Sequence, residues 1–437
     1  MDFLKDNIRT LFFRLLFPSI VSAVVMSIYS FVDTIAVGQS EGVLGTGAMA
    51  VIAPIYGIMV FLAILCGVGG SVMMGIARGE GKIEKGNACF TVACQLMTII
   101  TVIAWIVLLS FTKPVFRLFG ANDDVMPKTL EYGRLIIWFF PVFVFTIFIP
   151  SFIRNDGAPK LAMTAVVTGG CVNMFGDWFL GFPMRLGMTG AALATVIGTS
   201  VQAIMMGSYF FRKGCGLRLV KPHHYLKGFH AIFRIRIGAG ALDLGTIVIG
   251  AVMNNRILAY GGTAELAVYG VIATIMSLLQ ALFCGVGQAI QPLVSANFGA
   301  KQLERIQKVW KYSLVTVILM GTLFMAVGEW MPIQITQLFM NADASVLEIV
   351  PVAFRLHFLV YIFLGITVLA AYYLQSILKE TASIVIGFSH SIFLSTAICY
   401  LLPALIGVSG VWLALPVTEM IIAAVALMYI SRLNEKL

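Results

Sequence analysis

The sequence predicts an all-α membrane protein of twelve transmembrane helices in two six-helix lobes, and three observations predict it. Ala, Val, Ile, Leu, Met, Phe, Trp, Tyr and Cys make up 60% of the 437 residues, whereas soluble domains hold about 45–50% even with glycine counted. Mean hydropathy is +0.97. The apolar residues come in runs of roughly 20 or more, the length that crosses about 30 Å of hydrocarbon as a helix. The most basic stretch, 212–236, falls midway and divides the runs six and six.

In chain order the runs fall at 11–39, 46–77, 88–111, 132–153, 161–183, 189–211, 237–260, 265–293, 310–331, 354–378, 383–406 and 409–431. The first carries Pro18 and Asp33. It is too long for a signal peptide and lacks a small-residue cleavage site, so it is expected to remain as the first span. The second holds Met49, Met59, Met73 and Met74, and the fifth holds Asn173 and Asp177. The seventh holds Asn254, Asn255 and Arg256, and Asp243 lies near its expected start. The tenth, eleventh and twelfth contain His357, His390 and Glu419. For these last three, helix packing outweighs a relay role.

Most of the 29 lysines and arginines fall on one side when both termini are placed in the cytoplasm. That bias orients the chain and accounts for its net charge of +9 without a nucleic-acid partner. The 212–236 stretch carries seven basic and no acidic residues, with His223, His224 and His230. It is expected to be a cytoplasmic linker near anionic headgroups, between an N-terminal lobe, 1–211, and a C-terminal lobe, 237–437. The seven cysteines lie mostly inside apolar runs, with no Cys-x-x-Cys and no ligand-like spacing, so neither a disulfide scaffold nor a metal site is expected.

The halves repeat at an offset of about 220 residues, a spacing read from the motifs themselves. Cys66-Gly67-Val68-Gly69 recurs as Cys284-Gly285-Val286-Gly287, and Gly81 finds a counterpart in Gly299. Leu118-Phe119 with Asp123 recurs as Leu338-Phe339 with Asp343. Six spans per half is an even number, so both halves enter the membrane in the same sense. The predicted relation is a pseudo-twofold axis along the membrane normal.

Asp33 is the most informative position. A charge near the middle of a membrane helix costs at least ~2.5 kcal/mol, so such a residue usually faces the bundle interior and serves ion movement. Asn173 and Asp177 share a helix face at i, i+4, as do Tyr29 and Asp33. If those faces meet, two carboxylates, an amide, a phenol and the Thr195 hydroxyl converge where water is scarce. Such a cluster holds either a shared proton or a small hard cation such as sodium. The plainer reading of Asp177 is a helix-end residue bonded to nearby backbone. Pro18 removes a backbone hydrogen bond and offers a kink point.

Several stretches resemble the multidrug and toxic compound extrusion (MATE) family. They are Asn173-Met174-Phe175-Gly176-Asp177-Trp178, Gly187-Met188-Thr189-Gly190-Ala191-Ala192, Arg154-Asn155-Asp156-Gly157-Ala158-Pro159-Lys160, Gly410-Val411-Trp412-Leu413-Ala414, and the first span from Pro18 to Gly38. The resemblance runs the length of the chain. It implies two lobes facing a central cavity that opens alternately to either side, with export driven by proton or sodium entry. It also implies that Asp33 and Asp177 form the ion switch, that Asn173, Tyr29 and Thr195 complete its shell, and that Pro18 is a hinge. The seventh span departs from the family, lacking the deep acidic residue many relatives carry there. Asn254, Asn255 and Arg256 are left as possible cavity lining, with Arg256 paired to Glu265 or reaching the interface.

The expected protein is a secondary antiporter of the cell (inner) membrane that exports amphipathic, cationic or aromatic compounds, monomeric among its lipids and needing no cofactor beyond H+ or Na+. A flippase for a lipid-linked or oligosaccharide precursor is the alternative within transport. An intramembrane enzyme is the alternative outside it, and no nucleophile with a base or paired-histidine metal site supports it. No phosphate-binding Gly-x-x-x-x-Gly-Lys loop points to ATP.

Overall fold

A computed structural model describes residues 1–221, 248–339 and 344–436, and among them all regular structure is helical. Among the described residues, each of the twelve apolar runs is occupied by helix. Seven are single long helices: Ile8–Gly42, Leu44–Gly79, Ile83–Ser110, Gly187–Phe211, Thr263–Gly299, Leu303–Trp330 and Val408–Asn434. Two are bent pairs, Met126–Trp138 with Phe140–Asn155 at 56° and Val346–His357 with Val360–Ser376 at 41°. The fifth, Pro159–Gly181, is more polar because it carries Asn173 and Asp177. The eleventh runs from Glu380 to Ile406 through a π-helical turn at Ser389–Phe393. The seventh is helical over 248–260, and its earlier part, with Asp243, lies outside the described residues. Below, these helices are spans 1 to 12.

Two sequence-expected loops are missing. Spans 1 and 2 are joined through Gly42, at φ 63°, and spans 11 and 12 through Gly407, at φ 64°. Glycine allows that turn because it has no Cβ to clash in the left-handed region.

The backbone confirms the repeat independently of the motifs. Left-handed positions pair along the chain as Gly42 with Gly262, Gly81 with Lys301, Gly157 with Leu378, and Gly187 with Gly407. The motif spacing pairs Gly81 with Gly299, but by conformation its counterpart is Lys301. Asp343 and its neighbours lie outside the described residues.

The chain divides into two compact units, Met1–Asp2 with Arg14–Phe233, and Phe3–Phe13 with Arg234–Leu437. In the first unit a core of aromatic side chains, including Phe90, Phe116, Tyr132, Phe140 and Phe152, is fully buried. Met59 and Met74 pack in this core. Spans 5 and 6 approach closely because small residues face each other: a Cβ on Gly198 would stand 2.6 Å from the Gly169 carbonyl, and one on Gly176 would stand 2.8 Å from Ala194. Small residues at a helix interface are how membrane helices gain contact without a hydrophobic drive. The start of the 212–236 stretch is clasped by Asp156, which accepts from Arg78 at 2.5 Å, from the Tyr209 hydroxyl at 2.6 Å and from the Gly216 amide at 2.8 Å.

In the second unit the buried centre is built on Phe283, Phe354, Phe358, Tyr361, Tyr373 and Trp412. The stretch Phe3–Phe13, which the sequence places with the first half, packs here. Arg305 donates to the carbonyls of Phe3 at 2.9 Å and Asp6 at 2.8 Å, and Asn297 donates to Phe3 at 3.2 Å.

Candidate functional site

Spans 1, 2, 4, 5 and 6 bring a polar cluster together inside the first unit. Asp33 and Asp177 are 7% and 1% exposed, and Asn173, Thr195 and Tyr132 are also buried. The i, i+4 spacing of Asn173 and Asp177 puts both side chains on the inward face of span 5. Asp177 lies within electrostatic reach of Asp33. It is therefore an interior residue, and its carboxylate is not tied to backbone at a helix end.

Hydrogen-bond contacts link these side chains in a row. The Asn173 amide donates to Thr195 Oγ1 at 3.3 Å, Thr195 and Tyr132 hydroxyls lie 3.3 Å apart, and Tyr132 donates to Asp33 Oδ2 at 3.0 Å. Tyr56 joins at 3.2 Å from the Tyr132 oxygen. A phenol has one hydrogen, so while Tyr132 donates it to Asp33 it can only accept from Tyr56 and Thr195. The Tyr56–Tyr132–Asp33 bonds then point toward the Asp33 carboxylate. Thr195 donates its own hydrogen to the Ala191 carbonyl at 2.9 Å, which leaves none for Tyr132.

Four buried acceptors remain without a protein partner: Asp33 Oδ1, both carboxylate oxygens of Asp177, and Asn173 Oδ1. Buried oxygens are nearly always paired, so this concentration calls for an explanation such as an ion or a proton. Two carboxylates with neutral amide and hydroxyl oxygens suit a hard monovalent cation or protons. Among the described residues no group of three or more His, Cys, Asp and Glu is arranged to hold a metal.

The other sequence candidates fall differently. Tyr29 is half-buried beside Gly170, and its hydroxyl makes none of the cluster's hydrogen bonds. Pro18 lies inside a continuous helix; the Ser22 hydroxyl donates to its carbonyl at 2.8 Å, and the recorded break in this stretch is at Gly42. Asn254 and Asn255 are exposed. Arg256 does not pair with Glu265: its guanidinium lies 4.1 Å from the Tyr400 ring centroid and bonds Asn255 at 2.7 Å. His357 is fully buried between the rings of Tyr269 and Trp412. His390 and Glu419 are in contact with each other. Sequence reasoning missed Tyr56 and Tyr132. Tyr132 sits at the polar edge of its apolar run, where tyrosine is ordinary at any membrane interface, so nothing in its spacing marked it.

A twelve-helix, two-lobe membrane fold with buried carboxylates defines a polytopic transporter. The MatE family model matches residues 18–179 and 244–401, one match in each half, and the chain belongs to that family, whose members are transporters and not enzymes. It is 22% identical over 96% of its length to the multidrug export protein MepA of Staphylococcus saprophyticus, of which 93% is covered. With MepA of Staphylococcus haemolyticus the identity is 21%, covering 96% of this chain and 92% of that one. Among solved structures, an outward-facing multidrug resistance MATE transporter of the MOP superfamily superposes with a TM-score of 0.91 at 20% identity, over 99% of this chain and 97% of the other.

Proposed function

We propose that this protein is a secondary active antiporter that exports amphipathic, cationic or aromatic compounds from the cell by alternating access, driven by inward movement of protons or sodium through the Asp33–Asp177 site. The observation that carries the reading is the set of four unpartnered buried oxygens on Asp33, Asp177 and Asn173. An ion or proton would satisfy them on one side of the membrane and leave them unsatisfied on the other, which makes their occupancy worth coupling to a conformational change. The multidrug export role of the MepA relatives supports the substrate class.

In this reading the protein sits as a monomer in the cell membrane among its lipids, with both termini in the cytoplasm. Protons are the favoured driving ion, because the donor chain through Tyr132 ends on a carboxylate and offers a route for transfer. A pH difference of one unit supplies about 1.4 kcal/mol per proton, and 100 mV adds about 2.3 kcal/mol per charge moved. The test is efflux of ethidium from proteoliposomes under separately imposed proton and sodium gradients. Efflux driven by neither would overturn the reading.

A further inference from the structure

Spans 11 and 12 hold a second pair of titratable side chains, remote in sequence from the first unit's cluster. His390 Nδ1 is in direct contact with Glu419 Oε1. Glu419 is 1% exposed, is the only fully buried glutamate among the described residues, and its other oxygen has no partner. His390 lies ten residues into span 11, about 15 Å along a helix, and Glu419 lies eleven residues into span 12, about 16 Å, so both sit near the middle of a hydrocarbon layer about 30 Å thick. Ionisable residues at that depth are rare and usually functional.

The local backbone singles out the same place. His390 sits in the π-helical turn Ser389–Phe393, the only one among the described residues, and the Ser395 hydroxyl donates to its carbonyl. Such turns are uncommon and concentrate at functional sites. As a mere staple between two helices the pair would be a poor choice, since buried ion pairs can usually be replaced by uncharged residues without loss of stability.

We propose that His390 and Glu419 form a proton-binding site at the bilayer centre of the second unit, separate from Asp33 and Asp177. With one proton between them the pair is neutral overall, whichever residue carries it. Losing that proton leaves a bare carboxylate, and gaining another leaves a bare imidazolium, each a net charge in hydrocarbon. The proton count therefore changes when spans 11 and 12 part or water reaches them, which links protonation to helix movement. Among the described residues Glu419 is the one charged group acting on His390. Span 10 contributes neutral Gln375, bonded to Ser383 on span 11, and the charge on span 7, Arg256, lies over Tyr400 further along span 11. The binding of a proton here stands on its own; only its role in coupling rests on the transport reading above.

Acid-minus-neutral infrared difference spectra of the purified full-length protein test it, in wild type, Glu419→Gln, His390→Gln, the double variant, and Asp33→Asn/Asp177→Asn. A protonated-carboxyl band should disappear in Glu419→Gln and in the double variant, persist in Asp33→Asn/Asp177→Asn, and change its pH midpoint in His390→Gln. Spectra of wild type and double variant that coincide would overturn the site. Wild type labelled with 13C-glutamate gives the same reading without substitution, and absence of a labelled band that resists hydrogen–deuterium exchange would equally overturn it. In proteoliposomes the number of protons moved per ethidium should fall by one in the double variant. Wild-type efflux that ignores a proton gradient would count against proton-coupled transport and leave the spectral result intact.

Discussion

Tyr132 donates to Asp33 at 3.0 Å, bridging spans 4 and 1 across 99 residues of sequence, and the other oxygen of Asp33 has no partner. The phenol is thus the only donor that Asp33 has within the described protein. It also gathers Tyr56 and Thr195 onto its own oxygen, so one hydroxyl organises four spans.

Tyr132→Phe keeps the ring and removes that hydroxyl. A hydrogen bond to a charged group contributes about 1.5–3 kcal/mol, so the preference of Asp33 between its proton states should change and ethidium efflux should fall at least about tenfold. Expression and insertion should hold, since a buried polar group is exchanged for an apolar one. Rates in proteoliposomes equal to wild type would show that Tyr132 is only packing.

Asp33→Asn and Asp177→Asn should each abolish gradient-driven efflux while the protein still inserts, because removing an intramembrane carboxylate lowers an insertion cost of at least ~2.5 kcal/mol. The check is paired: membrane yield by immunoblot and efflux from vesicles. Retained efflux in Asp33→Asn would remove the proposed switch.

The driving ion separates two sets of oxygens. A sodium site would use Asn173 and Thr195 as direct ligands, so sodium-stimulated efflux at fixed pH should be lost in Asn173→Ala and in Thr195→Val. Proton drive predicts instead that wild-type efflux follows the pH gradient and is indifferent to sodium. Sodium stimulation that both substitutions remove, with no response to pH, would rule out protons.

Gly198→Ala tests how close packing positions the site. The new methyl would meet the Gly169 carbonyl at 2.6 Å and Asn173 Cβ at 2.8 Å, so spans 5 and 6 must separate. Overpacking of this kind costs about 1–3 kcal/mol and should lower the thermal stability of the purified protein. Gly207→Ala, which meets nothing within 4 Å, is the control and should match wild type.

Orientation is tested with single cysteines in a cysteine-free background. Ser40→Cys should react with an impermeant thiol reagent outside intact cells, and Lys213→Cys should react only after permeabilisation. The opposite pattern would invert the proposed topology.

The fold was largely legible because membrane crossing leaves a coarse signal: a long apolar run, a basic loop, another run. Boundaries were shifted by a few residues where the chain turns on a single glycine, as at Gly42, because a one-residue connection leaves no polar gap to read. Within the site, Asp33, Asn173, Asp177 and Thr195 were recognisable, since each is a polar exception in an apolar run or belongs to a motif resembling the family. Tyr56 and Tyr132 were not, because tyrosine is at home both in membrane cores and at their edges. The His390–Glu419 contact was also invisible: it depends on the register of two neighbouring helices, and no spacing within either helix encodes it.

Gly42 has a mechanical meaning. A joint one residue long has no slack, so span 1 cannot slide along its axis without dragging the near end of span 2 or unwinding a turn of one of them. Motion of the Asp33-bearing helix must then be rotation or bending about that pivot, and span 2, which carries Tyr56, is cranked with it. A few flexible residues inserted beside Gly42 would uncouple the two helices while leaving every side chain of the polar cluster in place.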